Sequence, residues 1–248
     1  MMNERQKHII RILAEHANAS VNILAVKLKV SGVTIRHDLD LLESEGLLKR
    51  VHGGAVLRDA DDIEIRLGLN FDIKQKIARK AAGQVLPGET VLIESGSINA
   101  LLARELVRKE DITLITSNVY IARQFRNNKN INLILLGGIY QPVSESMVGK
   151  LARTGIDQLH FSKAFIGIDG FTPETGFTSR DILRSEISGH IIHKCRDNYV
   201  VTDSTKFGKL ELTTICQTDQ VQHVITDPGL PDYYRDYLME HRVEVIFC

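Results

Sequence analysis

Apolar and polar positions recur along this chain with two different periods, and the change of period divides it. Near the amino end Ile9, Ile10, Ile12, Leu13 and Ala17 return at three- and four-residue spacing, which predicts a first helix ending near Asn18. Ser20 is placed to cap a second helix carrying Val21, Leu24, Ala25 and Leu28. After a break at Val30-Ser31-Gly32, Ser31 stands at the N-cap of a third helix whose inward stripe is Ile35, Leu39 and Leu42, and Gly46 ends it. LLKRVHGGAVLR then reads as two short strands around a glycine turn. Three helices followed by a basic hairpin is the order of a winged helix-turn-helix.

From about residue 58 to Asn70 the chain is acidic and poorly periodic, as expected of a linker. Beyond it short apolar runs alternate with helical stretches. TVLIES is followed by a helix in INALLARELV and ITLITS by one in VYIARQFR; then come INLILL, KAFIGID, YVVTDS, VQHVITD and VEVIF. The expected fold class is α/β: a small N-terminal winged helix-turn-helix domain over 1–57, a linker over 58–70, and a larger, mostly parallel α/β domain over 71–248 with helices on both faces. PDYYRDYLMEHR reads as a packing helix whose tyrosines fill core or interface.

Composition narrows the function. A chain of 248 residues suits one small and one large domain. Its formal charge is zero, so attraction to nucleic acid has to come from a local patch. Residues 1–58 carry nine Lys or Arg against six Asp or Glu, with four of the nine histidines, His8, His16, His37 and His52. Cys195, Cys216 and Cys248 form no CxxC and are odd in number, which argues against a disulfide framework or a zinc module and for reduced cytoplasmic thiols. His190 and His193 lie one helical turn apart near Cys195, but no companion ligands accompany them, so neither a metal nor a cofactor is expected. The polar start lacks a signal-peptide core, and no run approaches the roughly 18 apolar residues of a membrane span. A cytoplasmic chain with no membrane partner is the expectation.

If Ile35, Leu39 and Leu42 face inward, helical spacing turns Gly32, Val33, Thr34, Arg36, His37 and Asp40 outward or to the flanks. A recognition helix reads base edges with such N-terminal residues. Arg36 suits guanine O6 and N7, and Thr34 a thymine methyl or a phosphate. Lys49, Arg50 and His52 on the hairpin are placed to grip the phosphate backbone, and Ser31 stands at the helix start beside it. Any one of these alone reads equally as a solvated charge. The three-helix order, the cap, the glycine stop and the basic hairpin together point to double-stranded DNA, with Ser31, Thr34, Arg36, His37, Lys49, Arg50 and His52 as its contacts.

In the second part, Ser95-Gly96-Ser97 closes a strand and opens a helix, where backbone N–H groups and hydroxyls can hold an anion, a phosphate above all. A plain strand-to-helix turn is the alternative. Gly137-Gly138 after LILL has the same two readings, and Asn118 is either a ligand contact or a helix N-cap. These turns lie at carboxyl ends of expected strands, where open α/β sheets collect ligands.

The chain resembles the DeoR-type bacterial transcriptional regulators. RQKHIIRILAEHANASVNILAVKLKVSGVTIRHDLDLLESEGLLKRVHGGAV carries the likeness, followed in order by VLIESGS, LLGGIYQPVSESMVG, AFIGIDG and VVTDSTKFG. The resemblance implies a repressor whose second domain looks like the sugar-phosphate isomerase and deaminase fold and senses a phosphorylated sugar. It also implies that Asp169 in GIDG, Glu186 in the helix after GFTSRD, and Lys206 in DSTKFG after Asp203 join Ser95, Gly96, Ser97, Asn118, Gly137 and Gly138 around that effector. The chain departs from the family pattern at His37, where a second Arg or Lys is commoner, at Glu94 for Asp and at Asn99 for Thr. Arg180, Asp181 and Arg184 add charges beside Glu186, as a second anion clamp or as exposed helix-entry charges. A sensor needs only to bind, so no enzyme activity is expected. The competing reading is a sugar-phosphate isomerase with a DNA-binding head, Glu186 shuttling the proton and Lys206 stabilising the enediolate. A homodimer or homotetramer would bring two recognition helices to paired half-sites.

Overall fold

A computed structural model describes residues 2–16, 18–57 and 61–248, and the side chains of all of these except 14–16. Ala17 and Arg58, used in the patterns above, lie outside the described residues, as does the start of the expected linker. The chain divides into two units, Met1–Phe71 and Asp72–Cys248.

The first unit begins with α1 (Glu4–His16), β1 (Asn18–Ser20), α2 (Val21–Leu28) and α3 (Gly32–Ser44). The antiparallel pair β2 (Leu48–Val51) and β3 (Gly54–Leu57) completes a three-stranded sheet in the order β1-β3-β2. Ile9, Ile10, Leu13, Leu24, Ile35, Leu39, Leu42 and Leu48 form one core, which is why the apolar stripes of three helices were in phase. Ser20 and Ser31 cap α2 and α3, each accepting the N–H three residues on, from Ile23 at 3.2 Å and Thr34 at 3.1 Å. The segment expected as a linker holds a helix, α4 (Ile63–Gly68), capped by Asp62, and Ile65 joins the same core. Its six residues span under two turns, too few for a helical period to show in the sequence.

The second unit is built on a seven-stranded sheet. Its strands are β4 (Thr90–Ile93), β5 (Ile112–Thr116), β6 (Ile131–Leu135), β9 (Lys163–Ile166), β12 (Asn198–Val201), β14 (His223–Thr226) and β15 (Glu244–Phe247). Their order is β15-β14-β12-β9-β4-β5-β6, and every pairing is parallel. The helices are α5 (Phe71–Ala82), α6 (Ser97–Leu106), α7 (Val119–Arg123), α8 (Lys150–Asp157), α9 (Ile182–Lys194) and α10 (Asp232–Glu240). Ala152, Ile156, Ile187, Ile191 and Leu238 bring α8, α9 and α10 onto the sheet face that carries Leu92, Ile115, Ala164, Ile166, Val200 and Val224. Right-handed crossovers from β4 to β5 and from β5 to β6 put α6 and α7 on the other face. Two antiparallel additions were not foreseen: the hairpin of β7 (Ile139–Gln141) with β8 (Ser146–Val148), and a small sheet of β10 (Gly170–Thr172), β11 (Gly176–Ser179) and β13 (Thr213–Cys216). Of the tyrosines in α10, Tyr234 and Tyr237 pack on the core while Tyr233 is exposed.

The chain runs from β4 to β5 and β6 on one side, then returns to β9 on the other side of β4. That reversal is a topological switch point, and the crevice beyond the carboxyl ends of its two strands is where such sheets take ligands. Here those ends are Glu94–Ser97 and Gly167–Asp169.

Candidate functional site

On α3, Ile35, Leu39 and Leu42 are fully buried, and Asp38 turns inward with them to accept a bidentate pair from Arg5 of α1, at 2.5 and 3.1 Å. Helical phase then leaves Val33, Arg36, His37 and Asp40 on the opposite, exposed face. Arg36 and His37, with Lys49 and His52 on the hairpin, are exposed, and none of their side chains is held in a hydrogen bond or ion pair among the described residues. Ser31 and Thr34 are used locally: the Ser31 hydroxyl caps the helix and lies 2.9 Å from that of Thr34. The guanidinium of Arg50, expected to grip a phosphate, is paired with Asp40 of α3. Val33, 73% exposed on this face, was not singled out by sequence, since a lone valine gives no chemical signal there.

In the second unit, α6 begins at Gly96, which holds φ +104°, a conformation L side chains rarely adopt, and no side chain caps the helix. The N–H groups of Ser97, Ile98 and Asn99 have no acceptor among the described residues. The Ser97 hydroxyl is likewise unpartnered there, although the residue is 95% buried, as its 5% exposure states. Asn99 anchors the turn from below, donating its amide to the carbonyls of Ser95 at 2.9 Å and Phe165 at 3.1 Å and so tying β4 to β9. Its Oδ1 is buried without a partner among the described residues.

Glu94, 3% exposed, accepts the Ser95 hydroxyl at 2.5 Å. Burial pushes its carboxyl above the ordinary value, against the pull of the Ser95 hydroxyl and N–H, the Arg184 guanidinium and the Gly167 N–H. Asp169, at the end of β9, accepts from the Ser179 hydroxyl at 3.4 Å and the Arg180 N–H at 3.2 Å. Beyond β12, Asp203 caps the turn Ser204–Lys206. Asp227, at the end of β14, holds that turn by accepting the Ser204 N–H at 2.7 Å and hydroxyl at 2.9 Å. Since β12, β9 and β4 are consecutive in the sheet, the Lys206 turn, Asp169 and the Ser95–Ser97 loop share one end of it.

Other expected contacts have places of their own in the fold. Asn118 caps α7, accepting the Ile121 N–H at 3.0 Å, and its amide donates to Ser144 O at 2.8 Å and Ser146 Oγ at 3.2 Å, so it is spent on holding the β7–β8 hairpin. Gly138 serves packing, since a Cβ there would meet the Val148 carbonyl oxygen at 2.7 Å, whereas one on Gly137 would meet open space. Glu186 lies on the exposed face of α9 and is not brought to Glu94. Arg184 is, being 6% exposed and close enough to pull on the Glu94 carboxyl. Its phase with Ile187, Ser188 and Ile191, all buried, puts it on the inner face of α9. Arg180 is exposed at its side chain and pairs with Glu211 at 3.0 Å. His190 meets Asp157 of α8 at 2.7 Å, and burial pushes the Cys195 thiol up to about 11 and that of Cys216 to about 12.

A winged helix-turn-helix with a free basic face, followed by a parallel α/β domain with a polar crevice at its switch point, defines a regulator with a ligand-sensing domain. The chain belongs to the DeoR family of transcriptional regulators: residues 5–61 match the DeoR-like helix-turn-helix domain and 69–228 the DeoR C-terminal sensor domain. It is 34% identical to the HTH-type transcriptional regulator GolR of Listeria innocua, over 90% of each chain. It is 29% identical to a putative aga operon transcriptional repressor of Escherichia coli O157:H7, over 98% of this chain and 93% of that one, and 29% identical to the regulator IolR of Bacillus subtilis, over 98% and 97%. Among solved structures, ribose 5-phosphate isomerase A of Methanocaldococcus jannaschii superposes with a TM-score of 0.42 and 19% identity, over 56% of this chain and 55% of that one, too distant to bear on activity. Among the described residues no helix is long and apolar enough to cross a membrane.

Proposed function

We propose that this regulator is a cytoplasmic repressor of carbohydrate-metabolism genes that binds operator DNA as a homodimer or homotetramer and is modulated by a phosphorylated sugar. The observation that carries the effector half is the uncapped start of α6 at the switch point, with three N–H groups and the Ser97 hydroxyl unclaimed beside a buried polar floor. An anion seated there gains the donors and the positive end of the helix dipole together. Lys206 adds a cation from the neighbouring turn, and Glu94, one methylene longer than the family's Asp, narrows the space for the sugar and offers its hydroxyls a carboxyl that burial shifts toward its protonated form. The relatives' names, an aga operon repressor among them, agree with a sugar-responsive operon.

The DNA half rests on α3. Arg36 reads guanine, Val33 packs on a thymine methyl, and Lys49 and His52 hold phosphates, while two copies of α3 meet half-sites about 34 Å apart or a multiple of it. Binding of the sugar phosphate changes operator affinity through a coupling of about 1–3 kcal/mol, roughly 5–150-fold.

A thermal-shift screen of phosphorylated sugars, each beside its unphosphorylated parent, tests the reading, since a ligand at 100 times its Kd stabilises by about 2.7 kcal/mol. A phosphate-dependent shift that is lost in Ser97→Ala is the expected result. Equal shifts with and without phosphate would remove the anion seat. Steady turnover of a sugar phosphate by the full chain would return the enzyme reading.

A further inference from the structure

Asp40 sits on the face of α3 that the proposed function turns to DNA, one helical turn beyond Arg36 and His37, and its side chain is 65% exposed. A bare carboxylate at that place faces a phosphate backbone carrying one negative charge per about 1.7 Å of duplex. It is not bare. The guanidinium of Arg50, from strand β2 of the hairpin, is paired with it and also reaches the Arg36 carbonyl oxygen at 3.5 Å. The Arg50 backbone N–H donates to Glu43 Oε1 at 2.7 Å, so one residue of the wing touches α3 at three successive places. Its side chain is only 26% exposed, and Nε is shielded from solvent with no partner among the described residues. An arginine extended towards a duplex keeps that nitrogen wet; this one lies back on α3.

We propose that Arg50 is a positioning residue that acts on DNA through Asp40, cancelling the carboxylate on the reading face and pinning the wing to α3, instead of gripping a phosphate itself. The inference rests on the reading of α3 as the recognition helix. It separates Arg50 from Lys49, its neighbour in sequence, whose side chain is exposed and unheld among the described residues and takes the phosphate role. Two consecutive basic residues on one strand point to opposite sides, so the hairpin divides these tasks by geometry.

The test is a double-mutant cycle on the full-length chain, with a duplex recovered by selection from a random-sequence library and a scrambled duplex as reference. Arg50→Ala uncovers Asp40 and is expected to weaken binding about 10-fold. Asp40→Asn changes little when Arg50 is present, but in the Arg50→Ala background it restores most of the loss, and that recovery also certifies a folded head. The double variant keeps the parent's slope of log K against log salt, because no phosphate contact has been removed. Overturning results are an equal gain from Asp40→Asn in both backgrounds, or a slope in the double variant shallower by about 0.9, the signature of one lost phosphate. Arg36→Ala separates the layers: if it leaves selection between the two duplexes intact, α3 does not read bases and this proposal falls with that reading. If Arg36→Ala abolishes selection while the cycle is additive, only the Arg50 assignment fails.

Discussion

Arg36 in the head and Arg184 in the α/β domain carry the same guanidinium in opposite surroundings. The Arg36 side chain is exposed and unheld among the described residues, on a helix whose other face is buried, while Arg184 is 6% exposed beside a carboxyl that burial keeps above its ordinary range. A polyanion brings its own charge and needs donors that are free and wet, so a surface made for it looks unfinished when alone. A small ligand is enclosed, and its site has to be preorganised and largely desolvated beforehand. The two regions should therefore respond differently to salt, strongly at the head and weakly in the crevice, because buried pairs are poorly screened.

The sharpest way to break this comparison is to show that the two faces of α3 are not separable. Leu39→Ala opens a cavity in the core that Leu39 shares with Ile9, Ile35 and Leu42 and should cost the first unit about 2–5 kcal/mol in a denaturant melt. Arg36→Ala, three residues back on the exposed face, should leave that melt unchanged. An equal loss of stability in both would mean that Arg36 is part of the packing. In the crevice, Ser97→Ala removes a hydroxyl proposed to meet a charged phosphate and should weaken effector binding by about 1.5–3 kcal/mol in calorimetry, with operator affinity in the absence of effector kept. Loss of DNA binding in that variant would make Ser97 a structural residue.

Next in size are the effects on DNA. Arg36→Ala should narrow the gap between selected and scrambled duplex by about 1–3 kcal/mol. Lys49→Ala should weaken both duplexes alike and lower the salt slope by about 0.9. A base-specific loss from Lys49→Ala, read by competition between the duplexes, would exchange the two roles.

These contrasts also explain what could be read in advance. Ile35, Leu39 and Leu42 announce themselves because burial on one helix face leaves a period in the sequence, and Ser31 does so because capping favours few residue types. The parallel strands were legible as apolar runs, since a sheet covered on both faces has no polar alternation. Elements with short or mixed patterns were not: β1, α4 and the β7–β8 hairpin have three to six residues each or exposed apolar ones such as Ile139. Within the crevice, the uncapped turn at Gly96 was visible as a motif, but pairings across distance were not. Glu186 was carried over by resemblance, whereas the helical phase of α9 sends Arg184 inward and Glu186 out. Arg50 looked like Lys49 because its partner Asp40 lies ten residues away on another element.

The smallest effect bears on the buried side of the comparison. The Glu94 carboxyl is held above its ordinary value of 4.5 because burial outweighs the Ser95 donors and Arg184. Below that pH both the folded and the unfolded chain carry the proton, and Glu94 adds no pH dependence. As pH rises past it, the unfolded chain ionises there while the folded one keeps its proton, so stability falls with rising pH until the folded carboxyl titrates too. Glu94→Gln has no such proton to lose. Its melting temperature should match the parent's near pH 4 and exceed it at pH 7, each kcal/mol of difference appearing as about 2–4 °C. A variant that melts lower than the parent at pH 7 would mean that Glu94 is ionised against Arg184 in the folded chain. The crevice would then hold a charge pair instead of a carboxyl shifted toward its protonated form, and the contrast with the open face of α3 would lie in access to solvent alone.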